Sequence, residues 1–223
     1  MTAQSIKVRS ILVGKPKIIG ETRNPVKSGI YKYNVSEKVY LSKVNFDGDE
    51  QADLKNHGGP DKAICVYSSE HYPYWESILQ QQMMDGAFGE NLTLEGITET
   101  DIYIGDRFQL GEAIVEVSQP RRPCFKLGIK WNEPKLAQYV QDTGYSGFYL
   151  RVEKEGWVTP GDPLIKTYEH PSKFSISTMN HIVYHDPDNE TALERLIQLK
   201  PLASSWRKGI IKRLEKIRKA EAP

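Results

Sequence analysis

The run Gln119-Pro120-Arg121-Arg122-Pro123-Cys124-Phe125-Lys126 sets one thiol among two guanidiniums and an ammonium. Nearby cations stabilise the thiolate, the form that attacks electrophiles and ligates soft metals. Pro120 and Pro123 fix φ and remove backbone donors, so the loop is stiff enough to hold sulfur and guanidiniums in one orientation. Cys124 is thus the candidate reactive residue, with Arg121 and Arg122 beside it. The competing reading is a surface loop in which the thiol is only a small apolar group.

A second cluster is Lys55-Asn56-His57-Gly58-Gly59-Pro60-Asp61-Lys62. Adjacent glycines let backbone N–H groups approach an anion, and Lys55, His57 and Lys62 add charge, so the cluster reads as an anion cradle. A plain hairpin turn at Gly-Gly-Pro-Asp would need the glycines but gives no reason for His57 or the lysines. The His-Gly-Gly triplet would suit a hydrolase oxyanion loop, but no Gly-x-Ser-x-Gly accompanies it. The third cluster is Phe88-Gly89-Glu90-Asn91, where an acceptor and an amide could read the edge of a heterocycle, or serve as turn and ion-pair residues. A fourth, Val26 to Lys32, offers Lys27, Ser28 and Lys32 to a phosphate without forming a Walker loop. Zinc-ligand spacings and a Gly-x-Gly-x-x-Gly fingerprint are missing. His71, His170, His181 and His185 default to solvated or capping roles.

The elements that must position these residues fall into two sets. From residue 5 to about 168, short apolar or alternating runs are broken by Gly, Pro, Asn and Asp every ten residues or so, the mark of a mostly β sandwich or barrel. Strands are expected at Ile6–Val13, Val39–Val44, Ala63–Tyr67, Asn91–Leu94, Arg107–Leu110, Ala113–Ser118 and Phe148–Val152. In the sixth, Ala113, Val115 and Val117 share one face and Glu116 and Ser118 the other. Cys65 reads as packing in a buried strand. Two helices interrupt the strands. One is capped at Ser68-Ser69-Glu70 and carries the stripe Tyr72, Trp75, Leu79 and Met83. The other is capped by Asn132, buries Leu136, Tyr139 and Val140, and stops at Gly144. After Asp162-Pro163 the period becomes helical, giving three amphipathic segments on Ile176/Met179/Val183, Leu193/Leu196/Ile197 and Ile210/Leu214/Ile217. Lys208, Lys212, Arg213, Lys216, Arg218 and Lys219 on the last segment read as a solvated face rather than a nucleic-acid face.

The chain has 223 residues, with 30 Lys and Arg against 29 Asp and Glu, so no global field recruits nucleic acid or an anionic membrane. Two cysteines exclude a disulfide framework. The first residues carry no signal-like apolar region, and no apolar run is long enough to span a bilayer, so a soluble cytoplasmic protein is expected.

Taken in order, Asp53 to Ala63, Phe88 to Leu92, Ile104-Gly105-Asp106 and Gln119 to Cys124 resemble the MOSC family, the domain at the C-terminus of molybdenum cofactor sulfurases, and within it the YiiM-type subgroup. Gly147 to Val152, Gly156 and Gly161-Asp162 resemble the end of that domain. The resemblance implies a mainly β, closed barrel over residues 1–168 and a three-helix C-terminal domain over 173–220. It also implies a molybdopterin cofactor in a basic pocket, with Cys124 as catalytic residue and molybdenum ligand. Phosphate binding would fall to Lys27, Ser28 and Lys32, as in the amidoxime-reducing molybdenum proteins, or to the Gly58-Gly59 turn. Lys55, Asn56, His57, Asp61, Lys62, Arg121 and Arg122 would complete the basic pocket, with Phe88, Glu90 and Asn91 at the pterin. The implied activity is reduction of N-hydroxylated compounds, including hydroxylaminopurine-type bases, using electrons from another protein, since no haem, flavin or iron–sulfur motif is present. A sulfur-carrier module passing sulfur through Cys124, and a metal-free cysteine hydrolase with His57 or His71 as base, are the rivals.

Overall fold

In the computed structural model, residues 5–21 and 24–221 are described. Met1 to Gln4, where the expected barrel domain begins, lie outside them. The barrel strands are β1 (Ser5–Val13), β6 (Ile64–Ser68), β7 (Leu92–Glu95), β8 (Arg107–Leu110), β9 (Ala113–Pro120), β10 (Phe148–Lys154) and β12 (Leu164–Tyr168). They run in the order β12-β8-β9-β10-β6-β7-β1, and β1 pairs back onto β12 to close the ring. Short strands β2 (Lys17–Ile19) and β3 (Val26–Ser28) form one ribbon, and β5 (Val39–Leu41) and β11 (Gly156–Val158) another. β4 (Tyr33–Asn34) extends from β1. Pairings within the ring are antiparallel except β6 with β7, which needs a crossover. That crossover carries α2 (Tyr72–Leu79).

Alternation puts Val8, Leu94, Phe108, Val115, Val117 and Leu150 into one buried core. The opposite face of β9 is not solvated as its pattern suggests. Glu116 is buried by ion pairs from Arg107 and Arg151, at 2.7 and 2.9 Å, and the Ser118 hydroxyl donates to Asp61 O at 2.6 Å. The strand expected to Val44 stops at Leu41, because Ser42 turns back and its N–H donates to Asn45 O.

Beside the short α1 (Leu54–His57), the remaining barrel helices are α3 (Lys126–Trp131) and α4 (Leu136–Thr143). α3 was not evident in the sequence, and it moves Asn132 to a different role. Asn132 is the left-handed C-cap of α3, φ 51°, rather than the N-cap of the next helix. Gly144 does end α4.

The three C-terminal segments are helices α5 (Ile176–Tyr184), α6 (Glu190–Ile197) and α7 (Ser204–Glu221). Their apolar faces join the barrel core: Phe174, Ile176, Met179, Leu193, Leu196 and Trp206 belong to the same buried cluster as the strand residues. Backbone bonds tie the two parts, from Ile176 N to Ile102 O at 2.9 Å and from Ala203 N to Ser118 O at 3.0 Å. At Gly105, φ 90°, a Cβ would stand 2.6 Å from Pro201 and 2.7 Å from His170, so only glycine lets the C-terminal segment lie this close. The basic face of α7 is partly engaged: Arg213 donates to Val183 O, and Arg218 pairs with Glu190 and Glu194. Among the described residues no helix is long and apolar enough to cross a membrane.

Candidate functional site

β9 carries the chain to the cationic loop, and its pairing with β10 runs to the strand end, where Pro120 faces Phe148. One step further Arg121 N donates to Gly147 O at 3.1 Å. Gly147 has φ 71°, and a Cβ there would meet Val66 O at 2.3 Å, so a side chain would push β10 off β6 at the point where the loop is anchored. The Cys124 carbonyl then accepts from Leu127 N at 3.0 Å, turning the chain into α3.

Two adjoining cavities open around this loop, with volumes of about 80 and 430 Å³. Cys124, His57, Lys126 and Tyr149 line both, so the thiol sits where they meet. The smaller cavity brings in Ser28, Lys32, Phe88, Asn91 and Arg121. The larger brings in Lys55, Asn56, Lys62 and Arg122. Four cationic side chains line the larger cavity, Lys55, Lys62, Arg122 and Lys126, against the single carboxylate of Asp53.

Arg121 is buried, its Nη2 donates to Phe88 O at 2.6 Å, and its Nη1 has no partner. A buried guanidinium N–H without an acceptor is costly, and an anion in the smaller cavity would relieve it. Lys32 is held by a buried ion pair to Asp49, which also accepts from Gly14 N at 2.9 Å. Ser28 accepts from Ile30 N at 3.2 Å, leaving its hydroxyl hydrogen free for a ligand. Lys62 donates to Asn56 O at 2.8 Å, and burial together with Arg122 lowers its pKa.

His57 departs from the expectation that it adds charge. Burial, then Lys126 and Arg121, push its pKa down to about 4, so at neutral pH it is an uncharged donor and acceptor. That also makes it a poor general base for a cysteine hydrolase. His71, the other base considered, is neither solvated nor near the thiol. It is buried, 2.6 Å from Glu99 and stacked on Tyr145 at 3.9 Å.

Several candidates stand outside the cavity walls or reach them with their polar groups already engaged. Gly58 N–H is engaged by Leu54 O at 3.2 Å, so the Gly58-Gly59 turn serves α1 rather than a cradle. Asp61 pairs with Arg151 of β10 at 2.8 Å and braces that strand. Lys27 is exposed on the β2–β3 ribbon. Glu90 is fully buried and accepts from Tyr72 Oη, Gly86 N, Phe88 N and Thr93 Oγ1, between 2.6 and 3.0 Å. Asn91 reaches the smaller cavity, but its amide bonds Cys65 N and Leu12 O at 3.0 and 3.1 Å. Phe88 stacks on Tyr67 at 4.1 Å.

Sequence reasoning missed other wall residues. Cys65 lines the smaller cavity, because its strand neighbour in β10 is Tyr149. Ser205 and Trp206 at the start of α7 line the larger one. Alternation along β10 could have paired Tyr149 with the site, whereas nothing local in α7 signals its place there.

The residues fit an anionic cofactor that carries its own metal. Among the described residues no group of three or more His, Cys, Asp or Glu side chains could hold a metal, while the thiol of Cys124 is a soft-metal donor and cationic side chains line the cavities beside it. Comparison with known proteins agrees with the motifs. The MOSC domain matches residues 53–165, and the YiiM-like, 3-alpha helix domain matches residues 175–216. The chain is 45% identical over 217 residues to the uncharacterized protein YflK of Bacillus subtilis, covering 97% of this chain and 98% of that one. It is 34% identical over 183 residues to a protein of Gibberella moniliformis named reductase, covering 80% of this chain and 32% of that longer protein. The crystal structure of YiiM from Geobacillus stearothermophilus superposes with TM-score 0.81 at 42% identity, covering 94% of this chain and 99% of that one. The chain therefore belongs to the MOSC domain family, in the group that carries the YiiM-like three-helix domain.

Proposed function

We propose that the cleft binds a molybdenum cofactor with Cys124 as its protein ligand, and that the protein reduces N-hydroxylated substrates with electrons from a separate donor protein. The observation that carries this reading is Cys124 at the junction of two cavities with cationic linings, one of them lined by the buried Arg121. When bound, such a cofactor supplies two-electron redox chemistry and an oxygen-accepting metal. The overall change is balanced as an N–OH group plus two electrons and two protons giving N–H and water.

The chain's own residues hold, orient and protonate. Arg121 and the Ser28 hydroxyl donate to a phosphate in the smaller cavity, with the Lys32–Asp49 pair fixing that wall. Lys55, Lys62, Arg122 and Lys126 stabilise negative charge in the larger cavity. Tyr149 lines both cavities, and burial raises its pKa, so it stays a phenol able to donate a hydrogen bond to a departing oxygen. Neutral His57 donates or accepts beside it without adding charge.

The test is metal analysis and pterin fluorescence on freshly purified wild type and Cys124→Ser, followed by assay of a hydroxylaminopurine with a chemical reductant. Molybdenum in the wild type, and its loss in the variant with the fold intact, is the expected result, because a hydroxyl is a harder and weaker ligand than a thiolate. Equal metal in both would overturn the ligand assignment. A persulfide on Cys124 of metal-free protein would favour sulfur carriage instead.

A further inference from the structure

Two apolar side chains, Leu54 at 70% exposure and Phe125 at 60%, stand at the mouth of the larger cavity: Phe125 lines it, and so do Asp53 and Lys55 on either side of Leu54. Beside them α7 starts at the cavity wall. Ser205 in its first turn lines the cavity, and one turn further a Cβ at Gly209 would stand 3.4 Å from Arg122 Nη2. The side of α7 that carries Ser205 and Gly209 continues outward as a row of lysines. Lys208, Lys212, Lys216 and Lys219 all fall within about 60° of Ser205 on a helix of about 3.6 residues per turn. All four are exposed. At a rise of about 1.5 Å per residue, the row ends roughly 21 Å along the axis from Ser205. Among the described residues none of the four is in an ion pair, whereas Arg218, on another flank of α7, is held by Glu190 and Glu194. Glu215 is the one carboxylate on the lysine side of the helix. Because the whole chain balances 30 basic against 29 acidic side chains, the row is a local field and not a share of a global one.

We propose that the lysine row of α7, with Leu54 and Phe125 at its inner end, is the docking surface for an acidic redox protein that delivers electrons to the cleft. The inference rests on the reductase reading, in which each N–OH group converted to N–H and water takes two electrons and two protons, and it adds where the donor binds and what charge it carries. Electrons must arrive near Cys124, and the cavity that Cys124 lines opens beside Phe125 and the start of α7. Apolar side chains bordered by charge are the anatomy of a protein–protein contact. Lysines, flexible and strongly hydrated, steer an acidic partner in and let it leave, which suits a donor that must dock for each delivery. A nucleic-acid strand would call for stacking platforms along the track, and the one aromatic side chain of α7, Trp206, is buried.

Full-length wild type is titrated with a plant-type ferredoxin, a small acidic iron–sulfur protein, and with oligothymidylate, at low salt and at about 0.15 M, where the Debye length is about 8 Å. Two double variants of equal charge change are compared with it: Lys212→Glu with Lys216→Glu on the row, and Lys135→Glu with Lys154→Glu on exposed sites elsewhere. The row variant is expected to bind ferredoxin about tenfold more weakly at low salt, with a smaller difference at 0.15 M, and the other variant to stay within about twofold of wild type. Turnover of a hydroxylaminopurine driven by reduced methyl viologen, a small cation that needs no docking surface, should be the same in all three. The proposal is overturned if wild type does not bind ferredoxin at low salt, if the row variant binds it as wild type does, or if both variants lose affinity equally. Tighter binding of oligothymidylate than of ferredoxin would make the row a nucleic-acid face, and a loss of viologen-driven turnover in the row variant would assign the lysines to the cleft; either outcome also overturns it. If wild type reduces no N-hydroxylated substrate with either reductant while the row variant still loses ferredoxin, the docking surface stands and the reductase reading falls.

Discussion

The 86–93 and 119–126 walls of the cleft are both rich in polar side chains, yet Glu90 accepts four hydrogen bonds from its own surroundings, while Arg121 Nη1 and Gln119 Oε1 have no partner at all. The first wall is scaffold: its carboxylate and amide tie a loop to α2, β1 and β6. The second holds polar groups that its own fold leaves unmatched. Two motifs of similar composition thus differ in whether their hydrogen-bonding capacity is satisfied before any ligand arrives, and that distinction separates a support from a binding surface.

Breaking the scaffold wall should have the largest effect. Glu90→Ala leaves four donors facing an apolar gap, each worth about 1–3 kcal/mol, so the unfolding free energy should fall by about 4 kcal/mol or more. Urea denaturation measures this. A wild-type midpoint combined with weakened anion binding would reverse the roles of the two walls. Arg121→Gln should do the opposite, lowering the affinity of cofactor-free protein for pyrophosphate by about ten- to a hundredfold with a small change in midpoint. Titration at two salt concentrations should also show the wild-type affinity falling with salt.

Neutral His57 gives a third, smaller signature. Its folded pKa, about 4, lies below the usual 6.5, so the stability it contributes is fully present above pH 6.5 and is lost as pH falls toward 4. His57→Gln should flatten the stability curve across that window; an unchanged slope would show that His57 is not held neutral. The smallest effect belongs to Lys27→Ala, which should leave pyrophosphate affinity within about twofold, since an exposed cation off the cavity wall is screened. A tenfold loss would bring the β2–β3 ribbon into the site.

The contrast also explains what the sequence could and could not disclose. Barrel strands such as Arg107–Leu110 were legible because alternation is local, and the C-terminal helices because their apolar stripes are. Cys124 and Arg121 were legible through their chemistry. The fate of Glu90 was not, because its donors come from residues 72, 86, 88 and 93 and only folding assembles them. Asn132 was misplaced because a left-handed cap and a helix N-cap favour the same residue. Trp206 was hidden by distance along the chain: its place beside Arg122 depends on how α7 docks.

The ring of strands closes where β1 meets β12, with Ser5 opposite Ile165 and Ile6 opposite Leu164. Pairing residues so far apart makes closure a late event in folding, since the loop-closure entropy of the whole intervening chain opposes it before the contacts form. During synthesis the ring cannot be completed until the segment through residue 165 has left the ribosome, and until then β1 and β8, the two partners of β12, expose free strand edges. α5 and α6, which follow within some thirty residues and pack on the same core, emerge just in time to cover the newly closed barrel.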